Sequence, residues 1–424
     1  MRRLLFAVIV LVTAGASRAA DDAGIRAGDA VVVLPEGPGR GIQGTPAVAF
    51  GGGQYLVAWR EGWHGKGGSA RVYAARVSAE GKVLDAKGIE VAPVATPGGP
   101  QERPRVAFAG GVFLVVWQDL RNGKDYDVLA ARVDAASGKV LDREPLRVAA
   151  GPRTQALPDV ASHGNGFLVV WQGLAGEEAD YRGYAAPVSA DGVVGPAVET
   201  GLAPQPRVAW NGERFLGAAA QAHGTFTGNV RVVPLDTAGK PQGKEAVALG
   251  GTKAAVFSVT GVPGRGWVVV SHRSPPDPWG WGGPGAMRAA RVNGEGKVET
   301  SEKGYPQGRL ANWLDVGVTK GDAPTWPWGE SAVAFDGAHA VVVWQRHHLA
   351  GEKRTNFENC DLIAARVDGT TSFDAAGVPV AATPAEERRP ALASDGAGGL
   401  LLAYEREVDE DHAAVVVRTL RTSY

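Results

Sequence analysis

The apolar residues of this chain fall into short runs that return at a similar interval. Four of these runs end on tryptophan, at residues 55–59, 113–117, 167–171 and 340–344. Each run is almost unbroken in apolar residues, which predicts a strand buried on both faces. Because repeated units of this size usually stack on their own copies, the repeat determines the expected architecture before any single residue is considered.

The repeating unit is clearest between residues 103 and 150. Two short strands flank the turn at Gly110-Gly111, residues 127–133 predict a third strand, and residues 139–149 predict a fourth. Strands of this length, rich in Val and Phe and separated by Gly, Asp and Asn, are typical of an antiparallel meander.

Seven copies of the unit align on the tryptophan position, at intervals of 48 to 73 residues. The aligned residues are Trp59, Trp117, Trp171, Ala219, Ser271, Trp344 and Tyr404. A four-stranded unit repeated in this way predicts a β-propeller, whose blades pack face to face and bury the inner strands. A linear β-solenoid is the alternative, but its rungs are usually shorter and its ends need caps.

The two ends of the chain favour a closed ring. The last copy ends after its third strand, whereas residues 30–50 match residues 89–108 and so begin with an unpartnered fourth strand. Joining the two ends would remove an exposed sheet edge. We therefore predict an all-β fold: a seven-bladed β-propeller of four-stranded antiparallel blades, closed by an N-terminal strand at residues 30–36 that completes the last blade.

The predicted domain organisation is a single propeller behind an export signal. Arg2 and Arg3 precede a short apolar run, and Ser17-Arg18-Ala19 offers small residues for cleavage before Ala20, so residues 1–19 predict a signal peptide. Residues 20–28 are then a short N-terminal segment and residues 29–424 the propeller. The predicted blades span about residues 45–93, 103–150, 157–200, 205–250, 254–300, 330–382 and 388–424, with an insertion at 301–329.

Charge and cysteine content narrow the classes of partner. The formal net charge is −1, and residues of both signs are interspersed, which argues against nucleic acid as a partner and against a membrane-surface protein. The single cysteine, Cys360, excludes an internal disulfide. We expect a secreted or periplasmic monomer that does not insert into a membrane once the signal is removed.

The motif series P-x-V-A, F-L-V-V-W and A-A-R-V resembles secreted bacterial propeller proteins that carry the same repeats. The resemblance covers about residues 29–424 and implies the propeller fold. It implies no activity, because these repeats occur in proteins of many or unassigned roles. The S-x-D-x-G-x-T-W turn of sialidase-type propellers and the W-D strand ending of WD40 repeats are both absent from the sequence.

A smaller recurrence lies in the connections between blades. Gln43-x-x-Pro46, Gln101-x-x-Pro104 and Gln155-x-x-Pro158 repeat one pattern, and Glu387-x-x-Pro390 is a variant of it. A glutamine side chain can bond backbone groups, so we expect these residues to hold the connection between blades rather than a ligand.

The candidate chemistry falls on one predicted face. In a meander the second-to-third loops and the blade connections share a face, which we name the long-loop face because those loops are long and varied here. The segments 272–285 and 301–330 carry five tryptophans outside the packing register, either as flat surfaces for sugar rings or apolar partners, or as a self-packed lid. The predicted ligand contacts are Trp279, Trp281, Trp313, Trp326, Trp328, Arg273 and His347.

The sequence thus predicts a binding module for a glycan or protein partner. The alternative is a glycan-active hydrolase or lyase at the central channel, with Asp119, His223 and His347 as catalytic candidates. Arginines such as Arg105 and Arg207 would clamp a carboxylate sugar through bidentate bonds. No cofactor and no metal site is expected; Ca²⁺ at the acidic segments 119–127 and 407–412 is a weak alternative, because neither has EF-hand spacing.

Overall fold

A computed structural model describes residues 24–34, 42–62, 70–92, 99–176, 180–222, 228–273, 286–299, 314–318, 331–350, 356–368, 371–374, 376–409 and 412–423. These residues form strands and turns, and no helix among them is long and apolar enough to cross a membrane. The strands build seven four-stranded antiparallel blades, and neighbouring inner strands touch all the way round the ring. The seven-bladed β-propeller is therefore confirmed.

The first blades follow the repeat closely. They are preceded by two short strands, β1 (Ile25–Ala27) and β2 (Val31–Val32). Blade 1 consists of β3 (Gln43–Gly51), β4 (Gln54–Glu61), β5 (Arg71–Ser78) and β6 (Ile89–Glu90). Blade 2 consists of β7 (Gln101–Ala109), β8 (Val112–Asp119), β9 (Asp127–Asp134) and β10 (Leu146–Ala149). Blade 3 consists of β11 (Gln155–Ser162), β12 (Gly166–Leu174), β13 (Tyr181–Ser189) and β14 (Val198–Glu199).

Blades 4 and 5 share one long strand. Blade 4 contains β15 (Arg207–Trp210), β16 (Phe215–Ala222), β17 (Gly228–Leu235) and the first half of β18 (Ala246–Val262). Blade 5 contains the second half of β18, then β19 (Gly266–Arg273), β20 (Ala286–Val292) and β21 (Leu314–Val318). The register of β18 shifts between Thr252 and Phe257, where it passes from one blade to the next. The segment 301–329, expected to be an insertion, thus contains the fourth strand of blade 5.

The last blade is completed by the N-terminus. Blade 6 consists of β22 (Ser331–Phe335), β23 (Ala340–Ala350), β24 (Asn356–Val367) and β25 (Val378–Ala381). Blade 7 consists of β26 (Glu387–Ser394), β27 (Gly399–Asp409) and β28 (His412–Thr422), and both β1 and β2 pair antiparallel with β28. The closing pairing begins at Ile25, ahead of the expected segment 30–36. Gly28 N donates to Thr419 O at 2.8 Å, and glycine permits this approach because a Cβ there would clash with Thr419 Oγ1.

The second strand of each blade is buried because successive side chains face opposite neighbours. In β4, Leu56 and Ala58 pack against blade 2, whereas Tyr55, Val57 and Trp59 pack against blade 7. Both faces of the strand are therefore core, which removes the polar alternation of a half-exposed strand. The tryptophan series is part of this packing, since Trp59, Trp117, Trp171 and Trp344 are all buried.

The face opposite the long-loop face is held by ion pairs that the A-A-R-V motif supplies. Arg76 donates through Nε and Nη2 to Asp85 in its own blade, and through Nη1 to the carbonyl of Ala136 in blade 2. The same arrangement recurs twice, with Arg132 bound to Asp142 and Ala190 O, and Arg366 bound to Asp374 and Ser423 O. These contacts tie blade 1 to blade 2, blade 2 to blade 3 and blade 6 to blade 7.

Candidate functional site

Five blades begin their inner strand with the same unusual backbone. The residue before the proline has a positive φ in each case: 51° at Thr45, 53° at Arg103, 53° at Leu157, 56° at Gln205 and 52° at Arg389. A left-handed conformation costs a residue other than glycine roughly 1–2 kcal/mol, so it persists only where the surroundings stabilise it. Of these five residues, Arg103 and Gln205 border the central channel.

Side chains of the preceding blade hold these bulges in place. The residue that follows the tryptophan position accepts the N–H of the left-handed residue: Gln118 from Leu157 at 3.1 Å, and Gln172 from Gln205 at 2.9 Å. The same contact joins Gln345 to Arg389 at 3.1 Å, and Glu405 to Thr45 at 2.5 Å. We name these four side chains the latches, because each joins two blades at the rim of the channel.

The glutamines of the Gln-x-x-Pro recurrence also bond neighbouring backbone, as expected. Gln43 Oε1 accepts Val415 N, and Gln101 Oε1 accepts Val72 N, both at 2.9 Å. In blade 3 the glutamine acts within its own blade, because Gln155 Oε1 accepts Trp171 Nε1 at 2.8 Å. These glutamines therefore help to hold the strands that surround the channel mouth.

Blade 1 departs from the latch pattern. Arg60 stands at the latch position, and a guanidinium cannot accept an N–H. It is 4% exposed, and Arg60 Nη1 donates to Gly62 O at 2.9 Å. A Cβ on Gly44 would lie 2.8 Å from Glu405 Oε1 and 3.0 Å from Arg60 Nη2, so both side chains cover this glycine. Burial lowers the pKa of Arg60, and the nearby Glu405 carboxylate opposes that shift.

The channel itself is lined by one residue per blade at a single level. Each of these residues pairs with the one just before the tryptophan position of its blade, so all seven occupy equivalent places. The cavity they border, together with the residues above and below them, has a volume of about 390 Å³. The seven residues are Ala47, Arg105, Asp159, Arg207, Ser258, Ala332 and Ala391.

This level is charged on one side and small on the other. Arg105 Nε lies 3.6 Å from Asp159 Oδ1, and Asp159 Oδ2 accepts Val208 N at 2.9 Å. The Arg207 guanidinium lies 5.9 Å from the ring centre of Phe257, within range of a cation–π contact. Three successive blades thus present positive, negative and positive groups, while the other four present Ala or Ser. The space in front of the charged side is left open for a ligand.

The rim above this level is also rich in arginine. Glu405 is fully buried and accepts Arg388 Nε at 3.1 Å and Arg389 Nη1 at 2.9 Å. On the blade 2 side, Glu102 accepts Gln118 Nε2 at 3.2 Å and Tyr126 OH at 3.0 Å. Burial and the Glu102 charge raise the pKa of Tyr126 to about 12. Among the described residues that line the channel there are three arginines, Arg103, Arg105 and Arg207, and one carboxylate, Asp159.

Asp119 is the predicted catalytic residue whose side chain the structure describes. It is fully buried, accepts Trp117 Nε1 at 2.8 Å, and receives Nε and Nη2 of Arg121 at 2.9 and 2.7 Å. These bonds engage both carboxylate oxygens and tie β8 to the loop that follows it. Within the described ranges, no group of three or more His, Cys, Asp or Glu side chains is arranged to hold a metal ion.

The other predicted site residues lie outside the described side chains. Arg273 and His347 are placed in β19 and β23 by their backbones only. The remaining ones fall outside the described residues altogether: His223, Trp279, Trp281, Trp313, Trp326 and Trp328. The predicted aromatic site on the blade 5–6 side of the long-loop face therefore stays a prediction.

Sequence reasoning named Arg105 and Arg207 but missed their common level and missed Asp159. The signal was present in the P-x-V-A motif, where x is the residue that lines the channel in blades 1 to 4: Ala47, Arg105, Asp159 and Arg207. Because the motif marks the fold in every blade, its variable position indicates a site only when the blades are compared as a set.

Comparison with known proteins supports the fold alone. No protein-family model and no curated protein matches the sequence. The parainfluenza virus 5 hemagglutinin-neuraminidase ectodomain is similar at 7% identity and a TM-score of 0.51, over 94% of this chain and 84% of that chain. Pyrococcus horikoshii acylaminoacyl peptidase is similar at 10% identity and a TM-score of 0.50, over 91% and 52%.

Trypanosoma rangeli sialidase is similar at 11% identity and a TM-score of 0.48, over 89% of this chain and 55% of that chain. The chain spans about half the length of this sialidase and of the peptidase. Identities this low reflect a shared propeller architecture, and the activities of these proteins do not transfer with it.

Proposed function

We propose that this propeller is an exported binding module that takes an acidic glycan at the long-loop mouth of its central channel. The observation that carries the proposal is the charged side of the channel level, where Arg105, Asp159 and Arg207 come from three successive blades. Four small residues on the other side leave room for a sugar ring. Guanidinium groups are suited to carboxylates, because they donate parallel hydrogen bonds in a fixed plane.

The frame around this level favours a rigid, preformed site. Four strands enter the mouth through the same bulge, held by a latch of the neighbouring blade, and the left-handed residue differs from blade to blade. Arg103 and Gln205, two of the left-handed residues, also border the channel. A repeated backbone bulge that carries a different side chain in each blade gives specificity to a rigid site. A rigid site lowers the entropy cost of binding.

The described channel supports binding better than glycoside hydrolysis. Hydrolysis in most glycosidases uses two carboxyl groups on either side of the scissile bond. Among the described residues that line the channel, Asp159 is the one carboxylate, and it already accepts Val208 N and lies beside Arg105. Asp119, the carboxylate of the alternative enzyme hypothesis, is engaged by Trp117 and Arg121.

A glycan-array screen tests the proposal. We expect the wild-type protein to bind acidic glycans over neutral ones, and an Arg105→Gln/Arg207→Gln variant to lose that binding while it keeps its fold by circular dichroism. Arg143, which is exposed on the outer part of blade 2, provides the control Arg143→Gln. A Trp279→Ala/Trp281→Ala variant in the same screen tests the predicted aromatic contacts. Binding of neutral glycans alone, or binding unaffected by the channel variant, would contradict the proposal.

A further inference from the structure

A second cleft lies on the long-loop face of blade 3, beside the channel mouth. It is bordered by the connection from blade 2, by the end of β12 and by the start of β13, and it is an open cleft of about 590 Å³. The residues that line it are Pro152, Arg153, Leu174, Ala175, Gly176, Asp180, Arg182 and Tyr184. It mixes an aromatic ring with charged and backbone polar groups, as sugar-binding clefts do.

Backbone hydrogen bonds join the walls of this cleft. Leu174 N donates to Thr154 O, and Ala175 N donates to Asp180 O, both at 2.9 Å. The Arg153 side chain also donates through Nη1 to Ala175 O. The connection from blade 2 and the two strands of blade 3 are therefore tied together, so the cleft exists before any ligand enters it.

The polar groups of the cleft are exposed and weakly paired. Arg182 lies 3.4 Å from Asp180 and 3.4 Å from Glu199, and all three side chains are about half exposed. Surface pairs of this kind contribute little to stability, so sugar hydroxyls can replace them at small cost. Tyr184 is stacked on Trp171, with ring centres 5.9 Å apart and an interplanar angle of 23°, which fixes the orientation of its ring at the cleft.

The backbone of Arg153 is strained. Its φ is 77°, although it is neither a glycine nor one of the residues before proline at the mouth. Strained residues outside a repeated structural motif tend to occur where a side chain is held for a ligand. Arg153 is exposed, so its guanidinium is accessible to an anionic group.

The cleft and the channel mouth are close enough to share one ligand. Arg153 precedes Asp159, which lines the channel, by six residues, and an extended chain of that length spans at most about 22 Å. We infer that the cleft is an outer subsite, which holds the next sugar units of a glycan whose acidic end lies in the channel mouth. This inference rests on the proposed function and deepens it: the ligand is an acidic oligosaccharide, bound along its length.

A length series of uronic-acid oligosaccharides, from the monosaccharide to the hexasaccharide, tests the outer subsite by isothermal titration calorimetry. We expect the wild-type affinity to rise by about tenfold or more with length, since stacking and charge-assisted contacts are added at the cleft. The variant Arg153→Gln/Arg182→Gln should bind the monosaccharide like the wild type but lose the gain with length. Both residues are exposed, so the variant should fold normally.

The remaining outcomes separate this inference from the proposed function. If the wild type binds the series with no dependence on length, or the double variant keeps the full gain, the outer subsite is wrong and the channel site stands. If no member of the series binds, both the outer subsite and the proposed channel site are wrong. The variant Tyr184→Phe, which keeps the ring, should retain most of the gain, while Arg143→Gln should match the wild type throughout.

Discussion

Glu405 Oε1 accepts the backbone N–H of Thr45 at 2.5 Å, and this bond joins the last blade of the ring to the first. Both oxygens of Glu405 also accept Arg389 Nη1, and Arg388 Nε donates to Oε2. The other three latches described in the structure are neutral glutamines. Two features therefore join the last blade to the first: the pairing of β1 and β2 with β28, and the buried carboxylate of Glu405, which binds Thr45 and the two arginines.

Removing this carboxylate should destabilise the ring more than removing a neutral latch. We expect Glu405→Ala to lower the free energy of unfolding by about 2–3 kcal/mol, because the Thr45 N–H loses its acceptor and Arg388 and Arg389 each lose a carboxylate partner. The expected loss of free energy is modest because solvent screens the Arg388 and Arg389 side chains, which are 33% and 39% exposed. Gln345→Ala should cost about 1–2 kcal/mol. Urea unfolding of both variants checks this, and equal costs would contradict a special role for Glu405.

The N-terminal strands should be required for a stable ring. Ile25, Val33 and Leu34 are each 3% exposed or less, and burial of side chains of this size contributes about 1.5–3 kcal/mol each. A chain that begins at Pro35 should therefore melt about 10 °C lower than one that begins at Gly24. It should also associate through the uncovered edge of β28. Thermal melts with light scattering measure both effects; identical melting and a monomeric state for the shorter chain would show that closure does not depend on β1 and β2.

Repetition made the fold predictable, whereas variation within the repeat made the site hard to predict. Seven apolar strands buried on both faces leave few architectures open, and the unmatched ends indicated closure. Blade 5 was harder to delimit, since β21 lies far along a segment that looked like an insertion. Asp159 and Ser258 carry no signal alone. They become informative only when pairing registers place them level with Arg105 and Arg207.

The ion pairs beneath the channel should make stability depend on acid pH. Burial raises the pKa of Asp85, but the hydrogen bonds and charge of Arg76 outweigh it, so the pKa of Asp85 lies below its ordinary value. A depressed pKa contributes stability that is fully present above the unfolded value of about 3.9 and is lost as the pH falls through the folded value. Asp85→Asn should therefore cost about 1.5–3 kcal/mol at neutral pH.

The cost of Asp85→Asn should disappear in strong acid, so that its stability curve converges with that of the wild type. The control is Asp191→Asn, an exposed aspartate in the turn between the third and fourth strands of blade 3, where Pro187 and Pro196 stand in place of the arginine and the aspartate of the ion pair. That control should shift stability little at any pH. Denaturant midpoints measured between pH 2 and pH 7 test this, and a cost for Asp85→Asn that is the same at both ends would rule out the ion pair as its cause.

The left-handed residues at the mouth should tolerate glycine and reject β-branched side chains. Leu157 has a φ of 53° and donates its N–H to Gln118. Leu157→Gly should change the free energy of unfolding by less than about 1 kcal/mol, because the strain that glycine relieves offsets the order it loses. Leu157→Val should cost more than about 1 kcal/mol, since branching at Cβ disfavours this conformation. The opposite order in chemical denaturation would mean that the bulge does not store strain.

The most direct test of the central claim compares one acidic oligosaccharide with its carboxyl-reduced, neutral counterpart, by calorimetry on the wild type and on Arg207→Gln. We expect the wild type to bind the acidic form at least about tenfold more tightly than the reduced form, a difference of about 1.4 kcal/mol. We also expect Arg207→Gln to remove most of this difference without changing the melting temperature by more than a few degrees. Equal binding of the two glycans by the wild type, or an undiminished preference in Arg207→Gln, would contradict an acid-binding site on the charged side of the channel.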